Sequence, residues 1–88
     1  MKITRHNITA ALAVEQLRRL GIPPEEGFKI TKEDGWYSRN QWPDREMEEA
    51  FKAWAVGEIK RVFRMSKTAA EREFCWFNVS YGLKSAEE

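Results

Sequence analysis

The sequence predicts a small α+β domain in which helices pack against a short antiparallel sheet. Three observations support this fold class: a helical pattern near the N-terminus, a longer one in the middle of the chain, and an alternating apolar pattern near the C-terminus. With 88 residues the chain has room for one hydrophobic core, so we expect a single domain over residues 1–88. The alternative is a small all-α domain of three helices, in which residues 68–81 are helical.

The first predicted helix runs from Asn7 to Leu20, where apolar residues recur at helical spacing. Its polar side carries Glu15, Gln16, Arg18 and Arg19. Gly21 suits the left-handed position that follows a helix, and Ile22 can fold back on Leu17 as in a Schellman motif. The pair Pro23-Pro24 prevents the helix from continuing.

The region from Phe28 to Tyr37 is predicted to form a short β-hairpin. Phe28 and Ile30 alternate with polar residues, and the pair Asp34-Gly35 is a turn signal. Because two strands alone are marginally stable in water, this hairpin needs a third strand or a helix to pack against.

The longest predicted helix runs from Asp44 to about Met65. Its first turns are acidic and its last turns basic, which matches the helix dipole at both ends. Its apolar stripe comprises Met47, Phe51, Trp54, Val56, Ile59, Val62 and Phe63. Gly57 interrupts the helix at a cost of about 1 kcal/mol relative to Ala, and marks either a close helix contact or a bend.

The C-terminal segment from Phe74 to Leu83 is predicted to be the third strand. Cys75, Phe77, Val79, Tyr81 and Leu83 alternate with other residues, so a strand would collect them on one side. The opposing signal is a possible capping box at residues 68–71, which favours the helical alternative. The polar tail from Lys84 to Glu88 is expected to fray.

Composition and charge exclude several classes of protein. Fifteen Lys and Arg against 14 Asp and Glu give a net charge of +1, unlike a histone-like protein or an acidic nucleic-acid mimic. One Cys and one His cannot build the usual four-ligand zinc site, and we expect no metal and no cofactor. No apolar run is long enough to span a membrane, and the N-terminus has no secretory h-region. With a free Cys, these features predict a cytoplasmic protein.

The chain is predicted not to be an enzyme, because each potential catalytic group has a simpler explanation. His6 lies beside Arg5 near the N-terminus and is expected to be solvated. Cys75 has apolar neighbours and is expected to be a buried structural residue. The carboxylates Glu46, Glu48 and Glu49 crowd one helix start, where the dipole favours them. No phosphate-binding loop or HExxH motif is present.

We expect the protein to bind another protein. Residues 34–42 place aromatic and Arg side chains in a predicted turn and loop, and these types dominate interface hot spots. The predicted contact residues are Trp36, Tyr37, Arg39 and Trp42. The alternative for the two Trp residues is that they fill a small core. An acidic partner would be steered by the cations Lys60, Arg61, Arg64 and Lys67.

Two alternatives to protein binding stay open, a DNA-binding regulator and a homodimeric structural piece of a larger assembly, and a resemblance makes the protein-binding interpretation more specific. The run from Phe63 to Ala70 resembles the turn of a helix-turn-helix regulator, which implies DNA binding through Lys60, Arg61, Arg64 and Lys67. Cations at the end of a solvated helix explain the same residues without DNA. In size and composition the chain resembles small phage or mobile-element accessory proteins, and that resemblance implies an anti-defence inhibitor of a host protein. A homodimer is also possible.

Overall fold

The structure, a computed structural model, describes residues 5–23, 25–26 and 41–86 of the chain. Within these ranges it contains three helices, α1 (Arg5–Arg19), α2 (Arg45–Phe63) and α3 (Lys67–Tyr81), and no β-strand. The α+β prediction is therefore wrong, and the described part of the chain is all-helical, as in the alternative fold. The predicted hairpin from Phe28 to Tyr37 lies outside the described residues.

The end of α1 confirms the predicted Schellman motif. Gly21 has a φ of 80°, in the left-handed region. Its N–H donates to the carbonyl of Arg18, and the N–H of Ile22 donates to the carbonyl of Leu17, both at 3.0 Å. These two hydrogen bonds satisfy carbonyls that the end of a helix otherwise leaves without partners.

The ends of α2 are both defined by local hydrogen bonds. The Asp44 side chain accepts from the N–H of Met47 at 2.8 Å, which confirms the predicted start of this helix. At the other end Arg64 has a φ of 53°, and the N–H of Met65 donates to the carbonyl of Lys60 at 3.2 Å. A left-handed residue other than Gly costs roughly 1–2 kcal/mol, so Arg64 holds a strained position.

Helix α3 replaces the predicted strand from Phe74 to Leu83. The Ser66 hydroxyl accepts from the N–H of Ala69 at 3.2 Å and caps the helix, two residues before the predicted start at Thr68. The buried residues of α3 are Ala70, Phe74 and Phe77. Their spacing of four and three residues is helical, and it decides the structure because it places all three on one face.

Helices α2 and α3 form an antiparallel hairpin. At 1.5 Å per residue, Phe51 lies about 18 Å before the end of α2 and Phe77 about 15 Å beyond the start of α3. Their ring centroids are nevertheless only 6.3 Å apart. The two helices therefore lie side by side over most of their length.

Phe51 lies at the centre of the hydrophobic core. Its ring centroid is 5.3 Å from that of Trp42 and 6.1 Å from that of Phe74. Helix α1 contributes Leu12 and Leu17, both fully buried. The buried hydrophobic residues are Leu12, Ala13, Leu17, Trp42, Phe51, Ala55, Val56, Ile59, Ala70, Phe74, Phe77 and Leu83.

Gln16 joins α1 to the end of α3. Its side chain has no exposed surface, contrary to its predicted place on the polar side of the helix. Its Nε2 donates to the carbonyl of Tyr81 at 3.0 Å, and its Oε1 accepts from the N–H of Leu83 at 3.4 Å. The amide thereby satisfies two backbone groups at the point where α3 ends.

Residues 84–86, the described part of the tail expected to fray, are held against the start of α2. The N–H of Trp42 donates to the carbonyl of Lys84 at 3.1 Å, forming an isolated parallel bridge between residues 41 and 84. The Glu48 carboxylate accepts from the N–H of Ala86 at 2.9 Å. These bonds close the hairpin at the end opposite to its turn.

Candidate binding groove

An open groove of about 720 Å³ runs along one side of the hairpin, and we call it the α2–α3 groove. Its described lining comes from α2, α3 and the segments beside them, and none comes from α1. Helix α1 packs against another side of α2, where the Arg19 guanidinium lies 5.9 Å from the centroid of the Trp54 ring. The groove side of the hairpin is therefore free of α1.

The floor of the groove is apolar and its α2 wall is low. Phe51, Val56 and Phe74 form the floor, each at most 8 % exposed. The wall is formed by Ala53 and Gly57, and apart from the local backbone of α2 no atom of the described residues lies within 4 Å of a Cβ placed at Gly57. Gly57 thus marks no close contact within the described residues. The backbone of a molecule that enters the groove would not be obstructed by a side chain at this position.

Cys75 lies on the α3 wall of the groove with its side chain exposed. The prediction that it is buried is wrong. Successive residues of a helix point about 100° apart, so burial of Phe74 turns the next side chain out of the core. The single thiol of the chain is therefore accessible at the groove.

The rim of the groove carries charges at both ends. Toward the start of α2 the lining includes Glu49 together with Arg45, Glu48 and Lys52, and toward the turn it includes Lys60 and Lys67 together with Glu71. No carboxylate of a described residue lies within ion-pairing distance of either lysine, and Glu49 has no cation at that distance among those residues. Glu49, Lys60 and Lys67 are therefore available to a molecule that enters the groove.

The remaining predicted cations lie elsewhere. Arg61 donates to the Glu58 carboxylate at 2.7 Å, and this hydrogen bond raises the pKa of the Arg61 guanidinium. Arg64 is the left-handed residue that ends α2. Of the four cations predicted for a contact, the structure brings Lys60 and Lys67 to the groove, and it places Arg61 and Arg64 outside the groove lining.

The predicted aromatic contact is only partly described. Trp36, Tyr37 and Arg39 lie outside the described residues. Trp42 is 4 % exposed and packs on Phe51, so it fills the core, in agreement with the alternative for this residue, and its remaining surface contributes to the groove lining. Sequence reasoning missed Glu49 and Ala53 as groove residues. The 4-3-4 spacing of positions 49, 53, 56 and 60 is the signal that could have identified this face of α2.

The turn between α2 and α3 differs in geometry from the helix-turn-helix that it resembles. Helices of that motif meet at about 90–120°. At such an angle Phe51 and Phe77 would be far apart, whereas their rings are 6.3 Å apart. The first turns of α3 therefore lie beside α2 rather than projecting away from it.

The described residues show no group of three or more His, Cys, Asp or Glu side chains that could hold a metal ion. Among the described residues, no helix combines the length and apolar character needed to cross a membrane. The chain matches no protein-family model, no curated protein and no solved structure in comparisons with each.

Proposed function

We propose that the protein is a non-enzymatic binding module that receives a helix of a partner protein in the α2–α3 groove. The observation that carries this proposal is the combination of an apolar floor with rim charges, Glu49, Lys60 and Lys67, that form no ion pair with another described residue. Helix-in-groove recognition uses the same combination, because apolar anchors supply affinity and charged rims supply orientation.

The groove defines the chemistry of the helix that it would accept. Small or apolar side chains would face Val56 and Phe74, and the low wall at Gly57 permits a close backbone approach. An acidic side chain would face Lys60 and Lys67 at the turn end, and a basic one would face Glu49 at the other end. The partner helix is therefore amphipathic, with opposite charges at its two ends.

Two sequence-based expectations stay predictions within this proposal. One is that the partner is a host protein inhibited by a phage or mobile-element product. The other is that Trp36, Tyr37 and Arg39 add contacts to the interface. We place the function in the cytoplasm, since an accessible free thiol at Cys75 suits a reducing compartment.

DNA binding through Lys60, Arg61, Arg64 and Lys67 is the competing hypothesis. The antiparallel hairpin favours a protein partner, because α3 lies along α2 instead of presenting its N-terminal turn to a major groove. Binding to duplex DNA that weakens steeply with salt, in a protein that selects no helical peptide, would support the competing hypothesis instead.

The proposal is tested by selecting binders from a display library of helical peptides. A peptide seated in the groove is expected to slow the reaction of Cys75 with a small thiol reagent, because this side chain lies on the groove wall. The variant Gly57→Trp fills the groove and is expected to lose peptide binding.

The matched control is Val79→Trp, which places the same side chain on the outer surface of α3, where Val79 is 86 % exposed. This variant is expected to bind the peptides normally. Selected peptides that bind both variants alike and leave the reactivity of Cys75 unchanged would contradict the assignment of the groove.

A further inference from the structure

We infer that α2 of a second copy of the chain fits the α2–α3 groove, so that two chains form an antiparallel two-fold dimer. This inference rests on the proposed helix-binding role of the groove and names its occupant. It follows from the order of four residues that line the groove along α2, Glu49, Ala53, Val56 and Lys60; the charged residues Arg45, Glu48 and Lys52 of this helix line the groove as well.

This order is complementary to itself when it is read in the opposite direction. An antiparallel register that sets Ala53 against Val56 of the second copy also sets Glu49 against Lys60 of the second copy. A two-fold axis repeats every contact, so the opposite-charge pair occurs twice. A parallel arrangement would instead set Glu49 against Glu49 and Lys60 against Lys60, which is repulsive.

The space at Gly57 fits the same register. It lies opposite Lys52 of the second copy, and both residues line the groove. Because no described atom outside the local backbone of α2 lies within 4 Å of a Cβ at Gly57, the aliphatic stem of that lysine can cross the helix there while its ammonium group reaches solvent.

Helix α3 adds a second cation to each charged contact. Lys67 begins α3 beside the end of α2, and it lines the groove together with Lys60. Glu49 of the second copy therefore meets two lysines at the turn end. Two like-charged contacts oppose this register. Arg45 lies against Arg64 of the second copy, where both side chains are exposed and water screens their repulsion. Glu71 lines the groove one turn after Lys67 and lies near Glu49 of the second copy, where the two lysines outnumber it.

The experiment is a charge exchange followed by sedimentation velocity over a range of concentrations at low and high salt. The wild type is expected to form a dimer whose population rises with concentration and falls with salt. Glu49→Lys and Lys60→Glu each create two like-charge contacts, and each is expected to raise the dimer dissociation constant more than about tenfold. An equimolar mixture of the two variants restores both opposite-charge contacts and is expected to recover the dimer.

Glu46→Lys is the matched control, because it makes the same charge change in the same turn of α2 at a residue outside the groove lining. It is expected to leave the dimer intact, and circular dichroism checks that every variant is folded. The inference is contradicted if the wild type is monomeric at all concentrations. It is also contradicted if neither charge reversal raises the dimer dissociation constant, or if mixing the two variants does not restore the dimer. If the protein is monomeric but binds helical peptides that slow the reaction of Cys75, only the dimer is contradicted. If it is monomeric and also binds no helical peptide in the groove, the proposed function is contradicted as well.

Discussion

Replacing Gln16 by Glu exchanges one NH₂ group for an oxygen at the buried junction between α1 and the end of α3. In the wild type this amide donates to the carbonyl of Tyr81 at 3.0 Å and accepts from the N–H of Leu83 at 3.4 Å. A carboxylate keeps the acceptor but has no proton to give to the carbonyl. A protonated carboxyl supplies both groups again.

The expected cost of Gln16→Glu therefore depends on pH. Leaving the carbonyl of Tyr81 unsatisfied costs about 1–3 kcal/mol, and burying the negative charge adds to this loss. Burial raises the folded-state pKa of the introduced carboxyl above its unfolded value of about 4.3. Relative to the wild type, the variant is therefore most stable below about pH 4. Its free energy of unfolding then falls by up to about 1.4 kcal/mol per pH unit until the folded-state pKa is passed.

Urea denaturation of both proteins at pH 4, 5.5 and 7 measures this difference. Gln41→Glu is the matched control, since Gln41 also donates to a backbone carbonyl, that of Ser85 at 2.8 Å, but is exposed. Its destabilisation is expected to be small and to change little with pH. A destabilisation by Gln16→Glu that is equal at pH 4 and pH 7 would refute the buried, bridging amide.

Three other substitutions test local features of the helices. Gly57→Ala is expected to raise the free energy of unfolding by about 1 kcal/mol, because a Cβ has open space there; a lower melting temperature would contradict this. Arg64→Gly is expected to raise it by up to about 1 kcal/mol by relieving the left-handed backbone, which chemical denaturation measures. Hydrogen bonds from Arg18 lower the pKa of Glu15, so Glu15 stabilises the fold above its ordinary pKa, and this contribution is lost as the pH falls. The melting temperatures of the wild type and Glu15→Gln should accordingly differ most near neutral pH and converge as the pH falls through the lowered pKa of Glu15.

The sequence predicted those features of the fold that depend on neighbouring residues. The stop at Gly21 and the cap at Asp44 each need only a local backbone conformation and a hydrogen bond within a few residues. The end of α2 was located within two residues, but its left-handed Arg64 was not predicted, because Arg carries no preference for that conformation.

The strand prediction for residues 74–83 failed because it weighed all apolar residues equally. Cys75, Val79 and Tyr81 contributed to the alternating, strand-like pattern, yet all three are exposed in the structure. The residues that matter for packing are Phe74 and Phe77, whose spacing is helical. Burial, which the sequence does not record, decides which of two overlapping periodicities the chain follows.

The groove and the Gln16 bridge were missed for a different reason. Gln16 lies among charged residues in the sequence, and its partners at Tyr81 and Leu83 are distant along the chain. The groove likewise exists only after α3 has packed against α2. Lys60 and Lys67 were identified from their charge, but their common position at the rim depends on the turn between the helices.

The bridge between residues 41 and 84 bears on how the molecule opens in solution. A helical hairpin ordinarily frays from its free end, where terminal turns exchange their amide hydrogens first. Here the N–H of Trp42 and the carboxylate of Glu48 bind the segment that follows α3. The hairpin is therefore held by hydrogen bonds at its open end as well as by the turn at its other end. Amides of α2 and α3 should then exchange largely through one cooperative opening, and the groove sits on the most persistent part of the described chain. A ligand bound there would lose little free energy to ordering its receptor.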